Sequence, residues 1–125
     1  MKHLFLINPM SGKGKGKDFI LPKIEECLAK RDIEHEIFIS ETSETAKNYA
    51  REKAATGEHV RLYACGGDGT IFDVVNGLFG YSNAEFAAVP LGSGNDFIRL
   101  FGTKEQFLDL DAQIDVYLKE LGIID

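Results

Sequence analysis

Apolar and polar residues follow one another in blocks along the chain, and these blocks predict strands and helices in turn. Four short apolar segments are predicted as strands: His3–Ile7, His35–Ser40, Val60–Cys65 and Glu85–Val89. The first is almost continuously apolar, which is typical of a strand covered on both faces. Between the strands, apolar residues recur every three or four positions, so a helix is expected after each strand.

The first three predicted helices each present one apolar face. Their inward-facing residues are Ile20, Ile24, Cys27, Leu28 and also Leu21 in the first, Ala46, Ala50 and either Lys53 or Ala54 in the second, and Ile71, Val74, Val75 and Leu78 in the third. Pro22 lacks an amide donor, so it is compatible with the first helix only in the first turn or at a kink. Thr42 or Ser43 is expected to cap the second helix, and Gly80 to end the third with a positive φ.

Beyond the fourth strand, the pattern predicts a short helix over Phe97–Phe101 and one longer helix over Lys104–Leu121. The longer helix is expected to place Phe107, Leu110 and Ile114 on one face, followed by Tyr117 or Leu118 and Leu121, with Gly122 as its C-cap. Strands that alternate with helices form βαβ units, which produce a mainly parallel sheet with helices on both faces. The predicted fold class is therefore three-layer α/β.

Composition narrows the class of protein. With 125 residues, 44% hydrophobic and 27% charged, the chain suits one globular domain over residues 1–125. The net charge of −6 argues against a nucleic-acid binder, although Lys13, Lys15 and Lys17 form a local basic cluster. Cys27 and Cys65 are expected to be reduced cysteines in the core. Tyr63 and the phenylalanines are also expected to lie in the core.

The expected location is the cytoplasm. The sequence has no apolar run near the ~20 residues of a spanning helix, and its start does not resemble a signal peptide. Peripheral contact with the inner face of a membrane stays open, as does homo-oligomerisation through an uncovered sheet edge.

Three glycine-rich loops follow the first, third and fourth predicted strands: Met10–Lys17, Gly66–Thr70 and Pro90–Asp96. In parallel sheets ligands bind beyond the carboxyl ends of the strands, so these loops are expected to form one site. Glycines at a strand-to-helix corner favour an anion such as phosphate. The Asp68 carboxylate would repel that anion unless it holds a metal ion or accepts a proton. The simpler alternative is that Asp68 and Thr70 only cap the helix.

Three sequence blocks carry a resemblance to a known family. Asn8–Gly12, Gly66–Thr70 with the following Val74–Leu78, and Pro90–Phe97 resemble the signature blocks of the diacylglycerol kinase catalytic domain. The resemblance implies the N-terminal domain of an NAD kinase/phosphofructokinase-like fold. It also implies the ATP-binding domain of a lipid kinase, which transfers the γ-phosphate of ATP to the hydroxyl of diacylglycerol or a related lipid with Mg²⁺.

The resemblance also assigns roles to residues. The positions that match nucleotide-contacting residues of the family are Asn8, Pro9, Met10, Ser11, Gly12, Thr42, Gly66, Gly67, Asp68, Gly69, Thr70, Ile71, Phe72 and Ser93. Asp68 is similar to an acidic residue that handles magnesium or takes the proton of the acceptor hydroxyl, and both roles stay open. Phe72 and Asp73 stand where the family commonly has an Asn-Glu pair, so a polar contact is lost at Phe72 while Asp73 keeps the charge.

The resemblance leaves alternatives open. Members of the family continue into a larger β-rich domain, which we expect to be absent from residues 1–125, and activity without it stays open. Since GGDGT alone also suits NAD kinases, a kinase of a soluble metabolite is a second hypothesis. A non-catalytic nucleotide-binding or regulatory module is a third.

Overall fold

The computed structural model describes residues 1–92 and 95–120, with side chains described as far as Asp115 in the last helix. Four parallel strands form one sheet in the order β2-β1-β3-β4. They are β1 (Lys2–Ile7), β2 (His35–Ile39), β3 (Val60–Gly66) and β4 (Ala84–Pro90). All four carboxyl ends therefore lie at one edge of the sheet, as the alternation of strands and helices predicts.

Six helices are described around the sheet. They are α1 (Gly16–Ala29), α2 (Ser43–Ala55), α3 (Asp68–Leu78), α4 (Asp96–Arg99), α5 (Lys104–Leu108) and α6 (Leu110–Glu120). Alternate residues of the strands divide the core in two, because successive side chains of a strand point to opposite faces. Leu4 and Leu6 of β1 pack with α2, α3 and α4, whereas Phe5 and Ile7 pack with α1 and α6. The three-layer α/β prediction is confirmed.

Helices α2 and α3 approach closely at a glycine. A Cβ atom on Gly77 would lie 2.5 Å from the carbonyl oxygen of Lys47 and 2.7 Å from the Cβ of Ala50. A larger residue at this position would force the two helices apart. Gly77 therefore fixes how α3 packs, and with it the position of the first turn of α3.

The predicted caps of α2 and α3 are confirmed. Thr42 is the N-cap of α2, where its side chain accepts from the Thr45 amide and the Thr45 side chain accepts from the Thr42 amide. Gly80 follows α3 with a φ of +89°. Pro22, in contrast, lies in the second turn of α1 rather than the first.

The prediction of one long C-terminal helix is wrong. Asp109 separates α5 from α6, with a ψ of 86°, and its side chain accepts the amide of Ala112 in the first turn of α6. The break has a packing reason: Phe107 packs against the core on the face of the sheet that α2 and α3 cover, whereas Leu110 and Ile114 belong to the core on the other face, with α1. One straight helix could not serve both faces. The predictions for Tyr117, Leu118, Leu121 and Gly122 lie outside the residues whose side chains are described.

Two assignments of inward-facing residues are corrected. Val75 is 39% exposed, although Ile71, Val74 and Leu78 are buried as predicted. In α2, Ala46 and Ala50 are buried as predicted, and of the two alternatives Ala54 is buried while the Lys53 ammonium reaches Glu36 of β2.

The expectation of core aromatics holds only in part. Tyr63 and Phe5 are fully buried, but several phenylalanines are exposed, two of them on helices and two just beyond helix ends. These are Phe19, Phe72, Phe79 and Phe101.

Arg31, just after α1, joins this helix to α6. Its guanidinium donates to both carboxylate oxygens of Asp115 at 2.9 Å and to Asp111 at 2.8 Å. Hydrogen bonding to Asp115 is the chief cause that raises the pKa of Arg31 above its usual range.

Both cysteines are free and buried, as expected. Burial raises the pKa of the Cys65 thiol above its ordinary value, so this thiol stays protonated. Within the described part of the chain, no helix combines the length and apolar character that crossing a membrane requires.

Candidate functional site

The corner between β3 and α3 is open. Gly67 is the N-cap of α3, and no described side chain caps this helix. A Cβ atom on Gly67 or Gly69 would meet no described atom within 4 Å. The first amides of an 11-residue helix therefore stand beside free space, which is the arrangement that favours an anion.

Gly66 has a different role at the same corner. A Cβ atom there would lie 2.5 Å from the Thr70 hydroxyl oxygen, so only glycine lets the strand end pack against the first turn of α3. The Thr70 hydroxyl in turn accepts a hydrogen bond of 3.1 Å from the Asn8 side-chain amide. Asn8 follows β1, and its backbone amide donates to the carbonyl of Cys65. The first and second loops are thus joined through side chains and backbone.

Asp68 does not cap its own helix. Its two carboxylate oxygens accept the amides of Asp96 at 2.9 Å and of Phe97 at 3.3 Å, which are the first residues of α4. The carboxylate is therefore directed toward α4 rather than over the amides of α3. This contact keeps the carboxylate off the amides of α3, and it joins the second loop to the third.

The third loop completes the edge. The Leu91 amide donates to the carbonyl of Gly66, and Gly92 lies against Gly67. The position of a Cβ on Gly12 is 2.8 Å from the carbonyl oxygen of Leu91. The prediction that the three glycine loops meet is confirmed. Ser93, the predicted nucleotide contact in this loop, lies outside the described residues.

A small polar pocket opens between the starts of α2 and α3. Its volume is about 160 Å³, and the predicted site residues Asn8, Thr42, Gly69 and Thr70 line it. Ser43 and Asp73 also line it, and the Ser43 hydroxyl donates to Asp73 at 2.8 Å. Sequence reasoning missed the Ser43–Asp73 pair because the two residues are separated by 30 positions.

Other predicted contacts are placed differently. The Ile71 side chain is buried in the core, away from the polar pocket. Phe72 is 67% exposed and lies outside the polar pocket. Pro9 and Ser11 are half-buried and Met10 is exposed in the first loop, and Gly12 has a φ of +63°.

Asn95 is a polar residue that sequence reasoning did not single out. It precedes α4 with a φ of +45°, it is 5% exposed, and its side-chain amide donates to the carbonyl of Gly92. Its side-chain oxygen is buried without a partner among the described residues. Asn tolerates the left-handed conformation better than most residues, so an Asn at the end of the loop could have indicated a positive φ at this position.

A metal ion would find few protein ligands here. Among the described side chains, those of residues 1–92 and 95–115, no group of three or more His, Cys, Asp or Glu is placed to hold a metal. Mg²⁺ in phosphate sites typically takes one or two carboxylates, with phosphate oxygens and water as the other ligands. Asp68 at the open corner fits that limited role.

The described residues thus form an α/β domain of the NAD kinase-like fold, with its glycine corners gathered at one edge of the sheet. The diacylglycerol kinase catalytic domain matches residues 2–122. The chain belongs to the diacylglycerol kinase catalytic domain family, which confirms the resemblance found in its sequence.

Individual relatives agree with this family. The Bacillus subtilis protein named "Putative lipid kinase YtlR" is 38% identical over 117 residues, which cover 91% of this chain and 37% of that protein. A Staphylococcus epidermidis "Diacylglycerol kinase" is 32% identical over 120 residues, with 94% and 37% covered. A crystal structure of a diacylglycerol kinase from Bacillus anthracis has a TM-score of 0.66 at 26% identity, covering 90% of this chain and 41% of that one. This chain therefore spans well under half the length of these relatives.

Proposed function

We propose that the chain is the ATP-binding domain of a lipid kinase that transfers the γ-phosphate of ATP to the hydroxyl of diacylglycerol or a related lipid. The observation that carries this proposal is the open corner at Gly67 and Gly69 beside a carboxylate that is held by the neighbouring loop. The family to which the chain belongs supports the same activity.

In this proposal the phosphates of ATP bind at the start of α3. The amides of the first turn donate to phosphate oxygens, and the absence of side chains on Gly67 and Gly69 lets the phosphates approach the backbone. The polar pocket lined by Asn8, Thr42 and Thr70 is adjacent, and it offers hydroxyl and amide groups to the rest of the nucleotide.

Asp68 is the residue that we place next to the reacting atoms. Each carboxylate oxygen accepts one amide of α4, which leaves lone pairs for a further partner. When bound with ATP, Mg²⁺ neutralises the charge that develops on the phosphates. In this proposal Asp68 either ligates that ion or takes the proton from the hydroxyl of the lipid acceptor.

The transfer itself requires little covalent chemistry from the protein. The acceptor oxygen forms a bond to the γ-phosphorus, the bond between this phosphorus and the leaving oxygen of ADP breaks, and the hydroxyl proton leaves to Asp68 or to water. Positioning the two reactants accounts for most of such catalysis. A rigid corner that joins three loops suits that task.

The test is calorimetric titration of the 125-residue chain with ATP and with ADP, each with and without Mg²⁺. We expect saturable binding, and we expect the Asp68→Ala variant to lose most of the gain in affinity that Mg²⁺ provides. Asp32→Ala is the matched control, because Asp32 is exposed and lies between α1 and β2, at the opposite edge of the sheet. Absence of saturable binding to a folded sample would contradict the proposal, as would equal effects of the two substitutions.

A further inference from the structure

The carbonyl oxygen of Gly92 is held by two side-chain donors. The Asn95 side-chain amide donates to this oxygen from just before α4, and the Lys104 ammonium donates to it at 3.2 Å from the start of α5. Gly92 lies in the third loop, where a Cβ atom on it would be 3.5 Å from the Cα of Gly67. The two donors therefore fix a residue that lies against the N-cap of α3.

Asn95 makes this contact under unfavourable conditions. Its φ of +45° is in the left-handed region, which is strained for a residue that has a Cβ atom. Its side-chain oxygen is buried without a partner among the described residues, and an unpaired buried acceptor also lowers stability. The contact that accompanies both features is the donation to the Gly92 carbonyl.

Lys104 has no other polar partner in the described part of the chain. It is the exposed first residue of α5, where a cation is not stabilised by the helix dipole. Its ammonium donates to the Gly92 carbonyl and forms no ion pair with a described residue. Lys104 lines a cavity between α1 and α5 rather than the polar pocket beside α3. An influence of this contact on the polar pocket would therefore pass through Gly92.

The direction of the Gly92 carbonyl matters for a bound anion. A carbonyl oxygen carries partial negative charge and repels phosphate, whereas amide hydrogens attract it. The oxygen faces Lys104, in a cavity that neither Gly67 nor Gly69 lines. Glycine has few backbone restraints, so without its donors this carbonyl would be free to take other orientations.

We propose that Lys104 and Asn95 are positioning residues of the nucleotide site, which act by holding the Gly92 carbonyl oxygen away from the bound phosphates. The inference rests on the proposed function, because it needs phosphates at the start of α3. It adds two residues that no sequence motif singled out, one of them on a helix beyond the third loop.

The first experiment is calorimetric titration of the 125-residue chain with Mg²⁺-ATP and with adenosine. At 0.15 M salt, charges more than ~8 Å apart are largely screened. Lys104→Met should weaken ATP binding by about threefold to tenfold, the effect of one hydrogen bond, and should change adenosine binding less than twofold. Lys104→Arg keeps a charged donor and should restore ATP binding to within twofold.

Lys17→Met is the matched control for charge. Lys17 lies in the first turn of α1 at the same edge of the sheet, and it makes no polar side-chain contact with a described residue. Its substitution removes the same charge, and we expect less than a twofold change in ATP affinity. Because Lys104 is exposed, Lys104→Met should keep the melting temperature within about 2 °C.

Asn95→Gly tests the second donor. Glycine accepts a positive φ without strain, so a residue needed only for the backbone conformation would be replaced without loss. If the side-chain donor positions Gly92, ATP binding should instead weaken by about threefold to tenfold, again with adenosine binding changed less than twofold.

The carbonyl itself gives a direct readout. A Gly-Ser pair occurs once in the sequence, at positions 92 and 93, so a chain labelled with [1-¹³C]glycine and [¹⁵N]serine gives one correlated carbonyl signal. Lys104→Met should move this signal upfield, because the carbonyl loses a hydrogen bond, whereas Lys17→Met should leave it in place.

The outcomes separate this inference from the proposed function. If the unsubstituted chain binds ATP, then unchanged ATP affinity in Lys104→Met or in Asn95→Gly would overturn the inference alone. Equal losses in Lys104→Met and Lys17→Met, an equal loss of adenosine binding, or an unmoved carbonyl signal would do the same. Absence of ATP binding to the unsubstituted chain would contradict the proposed function and this inference together.

Discussion

A single methyl group at Gly69 should separate the stability of the domain from its nucleotide binding. Gly69 is the second residue of α3, it is exposed, and a Cβ atom there meets no described atom within 4 Å. Alanine therefore fits without a clash, and replacing glycine in a helix gains about 0.5–1 kcal/mol. For a domain of this size, that gain corresponds to a rise in melting temperature of roughly 2–5 °C.

The same methyl group should weaken ATP binding. It would occupy the free space at the corner where we place the phosphates, and we expect the dissociation constant to rise at least tenfold, or by about 1.4 kcal/mol. Thermal unfolding and calorimetry on one preparation measure the two effects. A gain in stability together with a loss of affinity is the expected signature of a glycine retained for a ligand.

Gly77→Ala is the control in the same helix. Its added methyl group would lie 2.5 Å from a carbonyl oxygen of α2, so we expect a loss of about 1–3 kcal/mol in the free energy of unfolding. The ATP affinity of its folded fraction should be unchanged. A lower melting temperature for Gly69→Ala, or an unchanged dissociation constant, would refute the reasoning.

Two further predictions concern the core and the C-terminal helix. Burial, aided by the charge of Arg61, lowers the pKa of His3 from 6.5 to about 4, while its ring nitrogen Nδ1 lies 2.8 Å from the Tyr63 hydroxyl. Since the unfolded state then binds more protons between these pH values, the contribution of His3 is fully present above pH 6.5. It is lost as the pH falls to about 4, by about 3 kcal/mol. Urea unfolding from pH 7 to pH 4 should show a shallower decline for His3→Gln, and parallel curves would contradict the assignment. Arg31→Lys cannot reproduce the paired contacts with Asp115, so it should lower the free energy of unfolding by about 1–3 kcal/mol. Lys30→Met should change it by less than about 0.5 kcal/mol, because Lys30 forms only an exposed pair at 3.6 Å. Similar losses in the two variants would show that the paired geometry is unimportant.

The sequence was sufficient for the fold because periodicity reports which side of an element is buried. Val60–Cys65 is apolar apart from Arg61, and β3 is buried on both faces at the centre of the sheet. The meeting of the three glycine loops followed from the parallel arrangement alone. The cap at Thr42 was also predictable, since its partner Thr45 is only three residues away.

Contacts between distant segments could not be predicted in this way. The sequence left open that Asp68 only caps its own helix, whereas its partners are amides 28 and 29 residues away. Periodicity likewise joined Phe107 to Leu110 and Ile114, because spacings of three and four fit one helix. It could not show that Phe107 packs on one face of the sheet and that Leu110 and Ile114 pack on the other. Val75 follows Val74 in a helix that buries only one of them, and Val75 is 39% exposed.

The bridge from Asp68 to α4 has a thermodynamic consequence. If a proton or a magnesium ion took the lone pairs of Asp68 that accept the amides of Asp96 and Phe97, the start of α4 would lose its cap, at a cost of about 0.5–2 kcal/mol. Linkage is reciprocal: if the ion weakens the binding of a ligand that stabilises the start of α4, that ligand weakens the binding of the ion by the same factor, roughly twofold to thirtyfold. Binding at Asp68 and binding at the start of α4 would thereby be thermodynamically coupled.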